Sequence, residues 1–316
     1  MEGVPAGAQC RFSEAAAEEA RGYVARLAAS AAGRIDGLAV DAAAVPTFAD
    51  EVRASAARMH TGPRWLVYAP VPGLRRLKEQ GVLAWTIGNI LGDPIRQNEQ
   101  GWRIAEVYNR ASGRIEDGAR YHQTRQGAYI HNDQTRPYTP DRTADDPGLF
   151  DYLVFSCGAA ACLGGETILV DAFAVHAELR RFPEALAVLQ TPFWFENRGE
   201  TGGLFQMPIL SFTESGEPEF RYFKAYIEGA HGKAGEPLTA PQAAALDVLE
   251  TILEQSRVQC RLRLQSGETL VTVDSQVMHS RTQFVDRAPP RPVDVETETL
   301  DSVNRFFFRI WSRRRA

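Results

Sequence analysis

The stretch "YIHNDQ", residues 129–134, sets a histidine and an aspartate one residue apart in a chain with six histidines in all. In an extended segment side chains alternate faces, so His131 and Asp133 point the same way and Asn132 turns to the opposite side. By itself such a pair reads first as an ordinary hydrogen-bonded turn at a strand end; as two adjacent metal ligands it needs a third from elsewhere. His60 precedes the loop "TGP", and His122 lies nine residues before His131, on the wrong face if the strand is continuous. His176 sits in a helical stretch and His231 in a Gly-rich turn. His279 is different. In "GETLVTVDSQVMHSRTQF" a Gly-Glu turn launches a strand over 269–273, and a short polar turn then presents Met278 and His279. Two histidines and one carboxylate leave three adjacent coordination positions open, the pattern of non-haem Fe(II) oxygenases. Hydrolytic zinc sites use the same donors, so zinc is the second metal to weigh.

The C-terminal "NRFFFRIW" bears on that choice. Arg305 and Arg309 are four apart and share a strand face with Phe307, while Phe306, Phe308 and Ile310 fill the opposite face with apolar packing. A guanidinium stays charged at any working pH and grips a carboxylate through two parallel hydrogen bonds. An enzyme that takes up a dicarboxylate has a use for such a face, and a hydrolase has no obvious one.

From about Gly88 in "GNILGDP" to its C-terminus the chain resembles the TauD/TfdA, clavaminate-synthase-like family of Fe(II)/2-oxoglutarate dioxygenases. "HNDQ" is similar to the family's proximal His-x-Asp. "CLGGETILVD" resembles the segment whose threonine contacts 2-oxoglutarate. "VDSQVMHSRTQF" resembles the distal-His segment, with Ser275 where relatives usually carry Asn, and "RFFFR" resembles the closing Arg-x-x-x-Arg. The four motifs occur in the family's order.

The resemblance implies a mainly β fold with α decoration: a double-stranded β-helix, or jelly-roll, with N-terminal helices and helical insertions. It implies that His131, Asp133 and His279 bind Fe(II), that Arg305 pairs with the distal carboxylate of 2-oxoglutarate, and that Thr167 assists. Arg309 would share that task or receive a carboxylate of the substrate. Arg281 is either a surface charge at a strand end or a group that orients the ligands. "EFRYFKAYIEGAH", residues 219–231, resembles a segment beside the pocket in amino-acid hydroxylases, which makes Arg221, Glu228 and His231 substrate candidates, or else charges on an edge strand and turn. "PFWFENRGETGG", residues 192–203, reads as a lid.

With O2 as the other cosubstrate, the implied reaction hydroxylates an unactivated C-H bond of a small, polar, amino-acid-like metabolite and releases succinate and CO2. Desaturation or cyclisation by the same chemistry is the alternative. A non-redox metal-dependent barrel enzyme and a 2-oxoglutarate sensor are the competing readings from other classes. Asp133 argues against a halogenase, because related halogenases leave that position without a carboxylate.

The elements that must position these residues follow from composition and periodicity. The chain has 316 residues, 44% of them hydrophobic, enough to fill a sizeable core. Residues 14–58 predict two helices, the second opening on Thr47 and Asp50 in capping-box spacing. From Arg64 onward, short runs of Val, Ile, Tyr and Phe separated by Gly, Pro and Asp predict many strands. Residues 171–190 predict two helices divided at Pro183, and Thr239 with Gln242 caps a helix over 239–256. The expectation is one domain over residues 1–316, with 1–60 as a helical layer. A net charge of -5 argues against a nucleic-acid binder, and no apolar run approaches the roughly 20 residues of a membrane span. Four irregularly spaced cysteines and the lack of a secretory signal at the N-terminus predict reduced thiols and a cytoplasmic protein. The sequence leaves the oligomeric state open.

Overall fold

The computed structural model describes residues 3–31, 33–98, 100–112, 121–133, 150–196 and 203–315. Among these, the helices are α1 (Glu14–Ser30), α2 (Pro46–Met59), α3 (Leu77–Leu91), α4 (Ala172–Leu179), α5 (Pro183–Leu189), α6 (Lys224–Ala234) and α7 (Ala240–Leu253). No helix of the described residues is long and apolar enough to cross a membrane.

Two sheets define the interior. The larger has seven strands, in the order Gln9–Cys10, Trp65–Tyr68, Thr269–Val273, Tyr152–Ala159, Phe306–Arg313 and Asp93–Pro94, with Ile104–Tyr108 also pairing with the Phe306–Arg313 strand. The smaller has three antiparallel strands, in the order Gln259–Leu262, Thr167–Asp171 and Val277–Arg281. Each strand alternates faces, so Trp65, Val67, Cys157, Leu270 and Phe307 of the large sheet meet Leu169, Leu262 and Val277 of the small one in a shared core. The faces turned outward are apolar too, and each is covered by helices. Val154, Val271, Phe306, Phe308 and Ile310 pack under α1, α2 and α3, while Ile168, Val170 and Met278 pack under residues of α4 to α7.

Helix α3 departs from the all-strand reading of the region after Arg64. It is buried on nearly every side because it lies between the N-terminal helices and the large sheet, so its hydrophobicity carries no 3.6-residue stripe to betray it. Gly81 lets it sit close: a Cβ there would fall 2.8 Å from the Phe308 ring. Helix α2 begins at Pro46, not with Thr47 as its cap. Proline suits the first helical position, and the cap is supplied by α1, where Glu19 accepts from Thr47 Oγ1 (2.6 Å) and from the Phe48 backbone N–H (3.1 Å). Thr239 and Gln242 form the expected capping box on α7, and α4 and α5 are separated just before Pro183. All four cysteines are free, Cys10 and Cys157 buried and Cys162 exposed.

Candidate metal centre

The first ligand pair is built by backbone bonds rather than by a full strand. His131 forms an isolated antiparallel bridge with His279. Its N–H donates to the His279 carbonyl (2.9 Å), and the His279 N–H donates back (2.8 Å). This closely spaced exchange sets the two rings side by side, with centroids 4.4 Å apart. Asn132 faces the other way, fully buried, and holds the turn. Its amide donates to the Asp274 carbonyl, and its Oδ1 accepts from the Tyr222 N–H at 3.1 Å. The next residue, Asp133, thereby swings its carboxylate between the two imidazoles.

His131, Asp133 and His279 then offer one donor atom each, all within 4.8 Å of one another, and they are the one such cluster among the described residues. Asp133 Oδ1 lies 3.5 Å from His131 Nε2 and 4.0 Å from His279 Nε2. The other ring nitrogen of His131 sits 2.7 Å from the Tyr129 carbonyl, which favours the tautomer with Nε2 free to ligate. Burial, helped by its neighbour His131, pushes His279 down to about 3, so its ring is neutral at ordinary pH. Burial alone would raise Asp133, but the Arg309 charge beside it holds it well below the usual carboxylate range. Two imidazoles and one carboxylate fit Fe(II) as a donor set.

The strand Phe306–Arg313 carries the residues around this cluster. Arg309 Nη1 and Trp311 Nε1 both donate to Asp133 Oδ2, each at 2.9 Å, and Arg309 Nε donates to Gln97 Oε1 at 2.8 Å. Arg309 is thus turned onto the ligand carboxylate. Phe223 lies 4.7 Å from His131 and Phe155 5.5 Å from His279, ring to ring, so apolar walls flank both imidazoles.

Arg305 is placed quite differently. It is 5% exposed, its guanidinium stacks on Phe307 (4.2 Å) and Phe284 (5.1 Å), and its Nε has no hydrogen-bond partner. Burial pushes it down to about 10. Arg281, also buried, stacks on the same Phe284 ring at 4.9 Å and donates to the Thr124 carbonyl at 2.8 Å; burial and the Arg305 charge push it down to about 9. Thr167 is opposite Arg281 and Leu169 opposite His279, so the "GGET" and "HSRT" motifs are neighbouring strand ends sharing one inward face. Thr282 and Glu166 tie them further, side chain to side chain and backbone to backbone. Gly165, at φ +74°, closes against Arg305, where a Cβ would lie 3.2 Å from Nε.

Arg221, Glu228 and His231, expected beside the substrate, have other partners. Residues 224–234 form α6, not an edge strand and turn, and Glu228 is exposed on it, 3.9 Å from Lys224. His231 accepts from the Trp194 N–H (3.2 Å) and lies 2.7 Å from the Glu236 carbonyl, so both ring nitrogens are engaged. Arg221 donates to Ser211 Oγ (2.8 Å) and lies 3.5 Å from Glu219. None of these partners belongs to the triad. Residues 192–196 and 204–208 form a hairpin, and the rest of the expected lid, 197–202, lies outside the described residues. Asn132, Trp311, Gln97 and Phe223 were not singled out from the sequence. Only Trp311 carried a usable signal there, sharing strand parity with Arg305 and Arg309.

Comparison with known proteins agrees with this geometry. The family described as "Taurine catabolism dioxygenase TauD, TfdA family" matches residues 76–295. An FR-33289 synthase from Streptomyces rubellomurinus (strain ATCC 31215) is 24% identical over 249 residues, 77% of this chain and 66% of that protein. A uridine-5'-phosphate dioxygenase from Amycolatopsis sp is 28% identical over 155 residues, 48% of this chain and 56% of that protein. The chain thus spans somewhat under two thirds of the length of these relatives. Among solved structures, asparagine oxygenase with Fe(II), 2S,3S-3-hydroxyasparagine and succinate superposes with a TM-score of 0.70 at 18% identity, covering 97% of this chain and 93% of that one. The non-haem iron oxygenase OrfP with Fe, succinate and (3S)-hydroxy-L-Arg gives 0.65 at 14% identity, covering 98% and 94%. With the family model matched over most of its length, the chain belongs to the TauD, TfdA dioxygenase family.

Proposed function

We propose that this protein is an Fe(II)- and 2-oxoglutarate-dependent dioxygenase that hydroxylates an unactivated C-H bond of a small, polar, amino-acid-like metabolite. The observation that carries the reading is the pairing of a His-His-Asp cluster with Arg305, a buried guanidinium whose Nε has no partner. A dicarboxylate that chelates a metal at one end and meets a guanidinium at the other suits both. In this reading the chain is one domain and its two sheets are the halves of a double-stranded β-helix.

Bound by His131, Asp133 and His279, Fe(II) with 2-oxoglutarate and O2 would supply the oxidising power, yielding succinate and CO2 as a C-H bond is hydroxylated. The chain's own groups do the positioning. Arg305 takes the distal carboxylate of 2-oxoglutarate and Thr167 assists from the adjoining strand end. Arg281 lends a second positive charge from across Phe284. Phe155 and Phe223 keep water from the flanks of the ligand rings. Arg309 is assigned to Asp133, with which it already pairs, rather than to the cosubstrate.

The substrate class draws support from the solved neighbours, whose complexes contain hydroxylated asparagine and arginine. A second class, a nucleoside monophosphate, is favoured by the uridine-5'-phosphate dioxygenase relative. Succinate release, measured with Fe(II), 2-oxoglutarate and O2 against free amino acids and nucleoside monophosphates, tests both. Stimulation by an amino acid, with product heavier by one oxygen, is expected. Stimulation by nucleotides alone overturns the amino-acid reading, and a product lighter by two hydrogens replaces hydroxylation with desaturation or cyclisation.

A further inference from the structure

We infer that Trp311, acting with Arg309, fixes Asp133 as a one-oxygen metal ligand and so keeps open the coordination position that O2 needs. The inference rests on the Fe(II) reading of the site.

A carboxylate beside a metal can bind through one oxygen or through both. Fe(II) held there by two imidazoles and one carboxylate oxygen would keep three positions open, two of which a chelating 2-oxoglutarate would take. A carboxylate bound through both oxygens would take that last position. Something must therefore hold the second oxygen away, and here two donors do. Trp311 Nε1 and Arg309 Nη1 both reach Oδ2 at 2.9 Å, while Oδ1 is the oxygen turned to His131 and His279. One oxygen is saturated by the protein and the other faces the imidazoles.

The pair is rigidly built. Both residues lie on the inward face of the Phe306–Arg313 strand, and the Arg309 guanidinium stacks on the Trp311 ring at 4.8 Å. The indole is stacked on Phe150 at 5.0 Å and 6°, and its backbone carbonyl accepts from the Ile95 N–H at 2.9 Å. Gln97 holds the Arg309 Nε from the other side. Of the two donors Trp311 is the more diagnostic, because it brings a hydrogen bond without a charge. Trp311 is a positioning residue, acting through Asp133.

The test is Trp311→Phe, which keeps an aromatic ring on Phe150 and removes the N–H. Phe150→Leu, which loosens the stack but keeps the N–H, is the control. Fe(II) affinity is measured anaerobically, together with the visible band of the protein with Fe(II) and 2-oxoglutarate. Loss of a group that orients a metal ligand costs about 10- to 100-fold in metal affinity. Trp311→Phe is expected to lose about tenfold and to shift the band, with a clearly smaller loss in Phe150→Leu, which loosens the indole but keeps its N–H. Equal affinity and an unmoved band in Trp311→Phe overturn the inference, as does an equal effect of Phe150→Leu. If Trp311→Phe does not fold, 15N-indole-labelled wild type decides. An indole N–H slow to exchange and shifted downfield with Zn(II) bound supports the contact, and fast exchange refutes it. Wild-type protein that binds no metal would instead defeat the metal-centre reading itself.

Discussion

The two ends of the buried site handle charge in opposite ways. At the metal end the Asp133 carboxylate is matched within the protein, by Arg309 in an ion pair and by the Trp311 N–H, and its oxygens are accounted for. At the other end Arg305 is equally buried, but its guanidinium lies against aromatic faces and a glycine turn and its Nε is unpartnered. A buried charge without a partner is costly. In the proposed reading the matched end is structure that would also bind the metal, and the unmatched end is one that an anion would stabilise.

This contrast predicts opposite responses to the same type of substitution. Arg309→Met strands the Asp133 carboxylate in the interior, and breaking a buried pair from one side costs about 3 kcal/mol or more; chemical denaturation of the metal-free protein should show that loss. Arg305→Met should leave the metal-free protein as stable as wild type or more so. It should weaken 2-oxoglutarate binding by about 1.5–3 kcal/mol, the range for hydrogen bonds to charged groups, which calorimetry on the metal-loaded protein would read as roughly ten- to hundredfold. If both variants are destabilised alike, the two ends do not differ as described.

The smallest effect concerns protons. As pH falls, the unfolded chain protonates His279 near its ordinary 6.5, whereas the folded protein does not do so until about 3. Between these values the unfolded state binds more protons, so metal-free stability falls from pH 7 toward pH 5, by at most about 1.4 kcal/mol per unit from this group. His279→Gln should flatten that part of the slope. Arg305, at about 10, adds nothing in this range, so of the two ends only the metal end contributes acid sensitivity.

How much of this was legible in the sequence varied with the distance over which each arrangement is set. Local parity and spacing identified the His131/Asp133 pair, the inward face of Arg305 and Arg309, and the capping box of α7. Tertiary arrangements were not legible. Arg309 has the same strand parity as Arg305, and only the approach of Asp133 and Gln97 separates a structural guanidinium from an open one. Asn132 was expected merely to face away, but it holds the ligand turn because Asp274 and Tyr222 come to meet it. Helix α6 has a partial signature of its own in the sequence. Lys224 and Glu228 are four apart, and Gly235 follows the last helical residue at φ 68°, a left-handed cap. The aromatic "RYF" just before it resembles a strand and masks that signal.

The most direct test of the central claim is the visible spectrum of the protein with Fe(II) and 2-oxoglutarate under anaerobic conditions. A weak charge-transfer band is expected in wild type, present at higher 2-oxoglutarate in Arg305→Met and absent in His279→Ala. Well-folded, iron-loaded wild-type protein that shows no such band would contradict the account.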